Sequence, residues 1–189
     1  MTTAVSVAAR PQRRIPGESG IWVMITGDLL VFSLFFLTFA FEYRSTPEAF
    51  AAGQALLNRP LGLANTMLLL TSSLAVALGV KAVGERDSSK ARRRFAVGVA
   101  CGAGFVIVKA FEWGAKFGAG IFVGSSEFFT FYFMFTGIHL LHVIAGLAAL
   151  LWARALARQP ENPSSARMIE SSALFWHLVD LLWVFLFAL

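Results

Sequence analysis

Apolar residues run along this chain in five long blocks, separated by short stretches that collect charge, proline and serine. The blocks lie near 21–42, 61–83, 95–117, 127–153 and 168–189. Each is long enough for the ~20 apolar residues that cross ~30 Å of hydrocarbon. An isolated strand cannot satisfy its backbone N–H and C=O groups in lipid, and the period-two alternation of a barrel is absent, so the blocks predict helices. The expected fold class is all-α: a polytopic membrane bundle of five transmembrane helices, forming one domain over 21–189 behind a tail of residues 1–20. The first block is too long for a signal peptide and lacks a convincing A-x-A cleavage site, so it is expected to be retained.

Between the blocks, LNRPLGLANT at 57–66 starts the second span with a proline near the first turn, where a missing N–H does little harm. The fourth loop, ARQPENPSSARM, is broken by Pro160 and Pro163 and is expected to be exposed.

Composition agrees with a membrane protein. The chain is 57% hydrophobic and 14% charged, with 19 Phe and 5 Trp. A soluble domain averages about a quarter charged. The mean hydropathy of +0.69 points the same way. A net charge of +5 would suit nucleic acid, but the basic residues sit at the ends of apolar blocks, where they act as topology signals. Arg10, Arg13 and Arg14 lie in the tail. Lys81, Arg86, Lys90, Arg92, Arg93 and Arg94 fill the second loop. Arg154, Arg158 and Arg167 lie in or beside the fourth. The opposite side has only Arg44, Arg59 and Lys116. The positive-inside rule then places the N-terminus in the cytoplasm and the C-terminus outside. The single cysteine, Cys101, offers no disulfide and reads as a small core residue.

Ionisable groups inside the blocks are the candidate chemistry, because they are costly in hydrocarbon and turn toward protein or water. They are Asp28, Lys109, Glu112, His139, His142, His177 and Asp180, with Glu170 at the start of the last block. Lys109 and Glu112 are three residues apart, as are His139 and His142, and His177 and Asp180. Each pair therefore shares a helical face and is expected to point into the bundle. Glu112 and His139 are expected at similar heights, roughly 15 Å or more from the cytoplasmic surface.

Three uses compete for these groups. Imidazoles and carboxylates can bind zinc, copper, iron or a haem, but the Glu-x-x-His repeat of di-iron bundles is missing and no H-x-x-x-H or cysteine ligand accompanies the histidines. A proton relay would use the same residues and needs a continuous path that spacing cannot reveal. Interhelical hydrogen bonding needs only facing partners, each contributing ~1 kcal/mol or less, and is the favoured reading. Lys109 and Glu112 would neutralise each other. Gly102, Gly104, Gly114, Gly118, Gly120 and Gly146 would let helices approach closely.

The segments FYFMFTGIHLLHVIAG (131–146) and ESSALFWHLVDLLWVFLF (170–187) resemble the last two helices of subunit III of haem-copper oxidases. The matching positions are Thr136, Gly137, His139, His142, Val143 and Gly146, then Glu170, Trp176, His177, Val179, Asp180, Trp183, Leu186 and Phe187. The R-P…N-T stretch before the second span and A-F-E-W in the third also match, so the resemblance covers 18–189. Two departures stand out. Standard subunit III has seven spans, and its first shared helix carries Glu in S-E-x-x-F-F, where this chain has Asp28 in TGDLLVFSLFF. With PGESGIW ahead of it, that feature is more similar to the five-helix accessory branch of nitric oxide reductases; some oxidases also have five-helix subunits III.

The resemblance implies an accessory, non-catalytic subunit of a respiratory haem-copper oxidase or nitric oxide reductase in a prokaryotic inner (plasma) membrane. Haem and copper or iron would reside in partner subunits, with none in this chain. The chain would pack against catalytic subunit I, bind phospholipid, and support assembly, proton uptake and turnover stability in electron transport. His139 and His142 would be structural, oriented by Asp180 or Glu112 across the bundle. The rival reading is a small stand-alone membrane ion or proton transporter, although broken helices and inverted repeats are not visible. A membrane metalloenzyme would require bound metal.

Overall fold

The computed structural model describes residues 16–159 and 161–188. Among them lie six helices: α1 Ser19–Ser45, α2 Pro47–Ala55, α3 Arg59–Gly84, α4 Ser88–Gly118, α5 Glu127–Leu156 and α6 Pro163–Ala188. Five are long and apolar enough to cross a membrane by length and composition. The all-helical expectation holds, and every expected span has its helix. The tail residues Arg10, Arg13 and Arg14, and the loop residue Pro160, lie outside the described residues.

The helix ends follow local chemistry. Asn58, Asp87 and Ser126 each precede a span and accept a hydrogen bond from a backbone N–H in its first turn. Pro60 sits in the first turn of α3, as its sequence context predicts. Pro163 opens α6 instead of lying in the fourth loop, so that loop is shorter than expected. The short helix α2 has no counterpart among the expected elements. Its start is a recognisable one: Pro47 in the first turn with Glu48 beside it, where an acid favours the helix dipole.

Helices α3, α4, α5 and α6 pack pairwise into a closed four-helix bundle. Its core joins Leu69 and Val76 of α3, Phe95 and Phe105 of α4, Val143 and Leu150 of α5, and Trp176 and Trp183 of α6. Trp176 is fully buried. It fits because α4 and α5 present glycines to it: a Cβ on Gly102 or on Gly146 would stand 2.7 Å from the indole. Those two glycines do permit close approach. Gly114, Gly118 and Gly120 do not, since a Cβ there would meet nothing within 4 Å. They fall in the last turns of α4 and just beyond, at exposed positions, while Glu112 and Lys116 on the same stretch stay buried.

α1 is attached differently. It buries only Phe32 and Phe39. Phe32 packs on Leu178 and Leu182 of α6, and its ring lies 5.7 Å from that of His142 on α5. Phe36 reaches Phe135 on α5 and Phe185 on α6. At its start, the Gly17 and Glu18 amides donate to Glu170 and Ser171 of α6. α1 thus lies in the outer groove between α5 and α6.

The antiparallel register of α4 and α5 sets the depth of the polar groups. Phe105 faces His139, and Glu112 faces Tyr132 seven residues further along. Glu112 is six residues from the end of α4, about 9 Å along the axis, whereas His139 is twelve residues into α5, about 18 Å. The two therefore do not share one height, contrary to the expectation from spacing. α4 runs on to Gly118, which carries Glu112 toward the end of the bundle that α2 covers.

Candidate functional site

The densest polar cluster lies at the α2 end. Lys109 and Glu112 share a face of α4, one turn apart, and form an ion pair of 2.8 Å with both side chains almost fully buried. Tyr132, in the second turn of α5, donates its hydroxyl to the other carboxylate oxygen at 2.7 Å. Lys109 Nζ also approaches that hydroxyl at 3.4 Å and lies 4.8 Å above the Trp183 ring of α6. Trp183 is held in turn by its indole N–H, which donates to Thr66 of α3 at 3.1 Å. One salt bridge therefore ties together α4, α5, α6 and α3. Charge-assisted bonds of this kind are the strong ones, and burial raises the stakes of leaving either partner alone.

Lys116 belongs to the same cluster. The charge pattern of the chain counts it as a loop residue and a topology signal. In the structure it is in the last turn of α4, 7% exposed. Its ammonium donates to the Leu56 carbonyl at 3.4 Å and lies 5.5 Å from the ring centres of both Phe129 and Tyr132. The clue is its spacing, four residues after Glu112 and seven after Lys109, which keeps all three on one stripe.

The histidines separate. His139 is completely buried, packed between Phe105 at 5.6 Å and Trp183 at 5.3 Å between ring centres. His142, one turn on, turns outward to α1. Its Nδ1–H donates to the Ile138 carbonyl at 2.9 Å, which leaves Nε2 facing Asp28 at 3.6 Å. Neither ring is oriented by Asp180 or Glu112, as the resemblance implied. The register places Glu112 two turns away from His139, and α1 supplies the carboxylate nearest His142. Asp28 and His142 are each about a quarter exposed and 3.6 Å apart, a loose interhelical contact that contributes ~1 kcal/mol or less.

The third group is on α6. His177 Nδ1 shares a short 2.6 Å hydrogen bond with Ser73 of α3. Asp180, one turn on, is buried and faces the same serine. Ser72, the neighbour of Ser73, donates to the Gly98 carbonyl of α4 at 2.8 Å. Of the residues singled out from sequence, then, Lys109 joins Glu112, Asp28 joins His142, and His177 stands beside Asp180, while His139 sits among aromatic rings. Among the described residues, no three His, Cys, Asp or Glu side chains gather as a ligand set. Tyr132, Lys116 and Ser73 are contact partners that sequence reasoning did not single out, and Trp183 entered it only as a motif position.

The chain is similar to oxidase subunit 3 proteins of several bacteria. Cytochrome c oxidase subunit 3 of Bacillus sp. (strain PS3) is 28% identical over 194 residues, covering 98% of this chain and 92% of the relative. Cytochrome bo(3) ubiquinol oxidase subunit 3 of Pseudomonas aeruginosa is 29% identical, covering 89% of this chain and 80% of the relative. Quinol oxidase subunit 3 of Bacillus spizizenii is 28% identical, covering 89% and 82%. The family model described as cytochrome c oxidase subunit III matches residues 15–189, nearly the whole chain, and the protein belongs to that family.

Proposed function

We propose that this chain is the accessory subunit that braces catalytic subunit I of a haem-copper oxidase, with haem and copper held by its partners and phospholipid held between its own helices. The observation that carries the proposal is the use made of the buried charge. Lys109, Glu112 and Tyr132 bind one another across helices, and His177 binds Ser73. Groups used in this way stiffen a scaffold, which is what an accessory subunit contributes. The wide apolar exposure of α1 supports a chain that needs lipid or a partner around it.

The location is the prokaryotic inner membrane, with the N-terminus in the cytoplasm. The basic turn between α3 and α4 supports that orientation: Lys81 and Lys90 lie beside Glu85, Arg86 faces Glu161, and Arg93 and Arg94 are exposed. Asp28, in its TGDLLVF setting, favours a second form of the proposal, in which the catalytic partner is a nitric oxide reductase.

Co-purification tests the assembly. A tagged chain is expected to retain a haem-bearing subunit whose turnover decays faster when the chain is stripped away. Consumption of oxygen or of nitric oxide by the recovered complex distinguishes the two partners. Proton or ion flux through liposomes containing the chain alone would overturn the proposal in favour of a transporter.

A further inference from the structure

Two arginines at the end of the bundle opposite α2 lack an anion. Arg92 lies in the second turn of α4 and Arg154 in the last turn of α5. The Ser88 hydroxyl donates to the Ala157 carbonyl at 2.7 Å, which fixes the antiparallel register there. Arg92 is four residues from Ser88, about 6 Å along the axis, and Arg154 is three from Ala157, about 4.5 Å. Steps of three and four residues keep a helical face, so both arginines stand at nearly one height on the α4–α5 seam. The Nε of each is shut off from solvent and has no hydrogen-bond partner. The carboxylates around the α3–α4 turn are engaged elsewhere: Glu85 faces Lys81 and Lys90, Glu161 faces Arg86, and Asp87 caps α4. Two guanidinium groups on one seam repel each other, and each presents a fork shaped for a carboxylate.

One turn beyond Arg92, α4 begins an outer face of small residues. Ala96, Ala100, Ala103, Ile107, Ala110 and Gly114 recur at alternating steps of four and three residues. That is the 3.5-residue period of a helix that packs along another. None of the six is buried within this chain, and a Cβ on Gly114 would meet nothing within 4 Å. The stripe runs for about 27 Å, close to the thickness of the hydrocarbon layer. The outer face of α1 is different, turning out Val23, Leu30, Leu34, Leu37 and Phe41. Bulky side chains suit lipid tails, whereas small ones let a second helix approach closely.

We infer that this face of α4 docks a transmembrane helix of the catalytic partner, and that Arg92 and Arg154 receive a carboxylate carried at that helix's end. The inference rests on the accessory reading above and adds to it the surface and the chemistry of the contact. A second copy of this chain does not fit the face. Inserted with the same orientation, its own Arg92 would stand against this one, and like charges set opposite each other oppose association.

Photo-crosslinking in the purified complex tests the face. A benzophenone amino acid in place of Ala103 is expected to crosslink to the haem-bearing subunit, and one in place of the exposed Leu34 of α1 to give no protein adduct. Arg92→Gln with Arg154→Gln is expected to speed dissociation of that subunit about tenfold, the loss of roughly one charge-assisted hydrogen bond. The thermal midpoint of the isolated variant chain is expected to equal or exceed that of wild type, because only like charges have been removed. Ala110→Leu adds bulk at an exposed position and is expected to speed dissociation with the midpoint unchanged. An adduct from Leu34 and none from Ala103 would overturn the docking face while leaving the accessory reading intact. Dissociation at the wild-type rate in the arginine variant, with an anionic phospholipid lost instead, would overturn the carboxylate contact. A lowered midpoint in that variant would assign the pair to folding and overturn it equally. Recovery of the wild-type chain without any haem-bearing subunit would overturn both the inference and the reading beneath it.

Discussion

Replacing Glu112 by Gln removes one negative charge and almost no volume, so its effect isolates the ion pair. The carboxylate accepts from Lys109 at 2.8 Å and from Tyr132 at 2.7 Å. A glutamine oxygen can keep one of these bonds, but its NH2 then opposes a second donor. Breaking a buried pair by removing one partner costs about 3–5 kcal/mol. Lys109 retains the Tyr132 hydroxyl and the face of Trp183 at 4.8 Å. These contacts leave the ammonium partly paired in the variant, so the low end of the range, about 3 kcal/mol, is expected. For a chain of this size that lowers the thermal midpoint by about 6–12 °C. The assay is thermal unfolding of the purified complex, followed by tryptophan fluorescence, beside its visible haem spectrum. Weaker retention of the subunit with an unchanged haem spectrum per complex is the expected result. The double variant Lys109→Met, Glu112→Gln replaces the pair by uncharged groups and is expected to recover to within about 1 kcal/mol of wild type. A midpoint for Glu112→Gln within about 2 °C of wild type would refute the reasoning. So would a double variant that falls as far as both single variants combined.

Four further outcomes are expected. His139→Phe keeps the aromatic packing against Phe105 and Trp183 and is expected to leave both complex recovery and haem absorbance unchanged; haem loss measured by pyridine haemochrome would refute a structural role. Gly146→Ala places a methyl group 2.7 Å from the buried Trp176 ring, and overpacking of this kind is expected to destabilise by about 1–3 kcal/mol, read as a lowered thermal midpoint. Asp28→Asn removes a partly exposed contact of 3.6 Å, and is expected to change stability by less than about 1 kcal/mol in the same assay, whereas Phe32→Ala, which empties a fully packed site, is expected to cost about 3–5 kcal/mol.

Much of the architecture is legible in the chain because hydrophobic length decides it. Five apolar blocks predict five spans, but a polar first stretch such as residues 88–94 of α4, expected as loop, lies outside the block that marks the span. Pairs within one helix are also legible: a three-residue spacing puts Lys109 beside Glu112 whatever the helix packs against. Partners on different helices are not. Tyr132 lies in the run FFTFYFMF, where a phenol is one aromatic among many, and its role depends on the register between α4 and α5. His142 finds Asp28 because α1 packs into the groove of α5 and α6, an adjacency that linear order does not reveal. Helix α2 escapes notice because a search for spans passes over a nine-residue segment, even one with Pro47 and Glu48 at its start.

The seat of α1 on α6 has a consequence for biogenesis. Helix α1 leaves the ribosome four spans before α6 and yet docks on it, held there by Phe32 against Leu178 and Leu182 and by the Glu170 and Ser171 contacts. Until α6 emerges, α1 can meet only the rings that α2 and α5 offer it, and the rest of its apolar surface stays in lipid. A polypeptide cut before α6 would leave α1 without that seat, so the emergence of α6 is the event that fastens it.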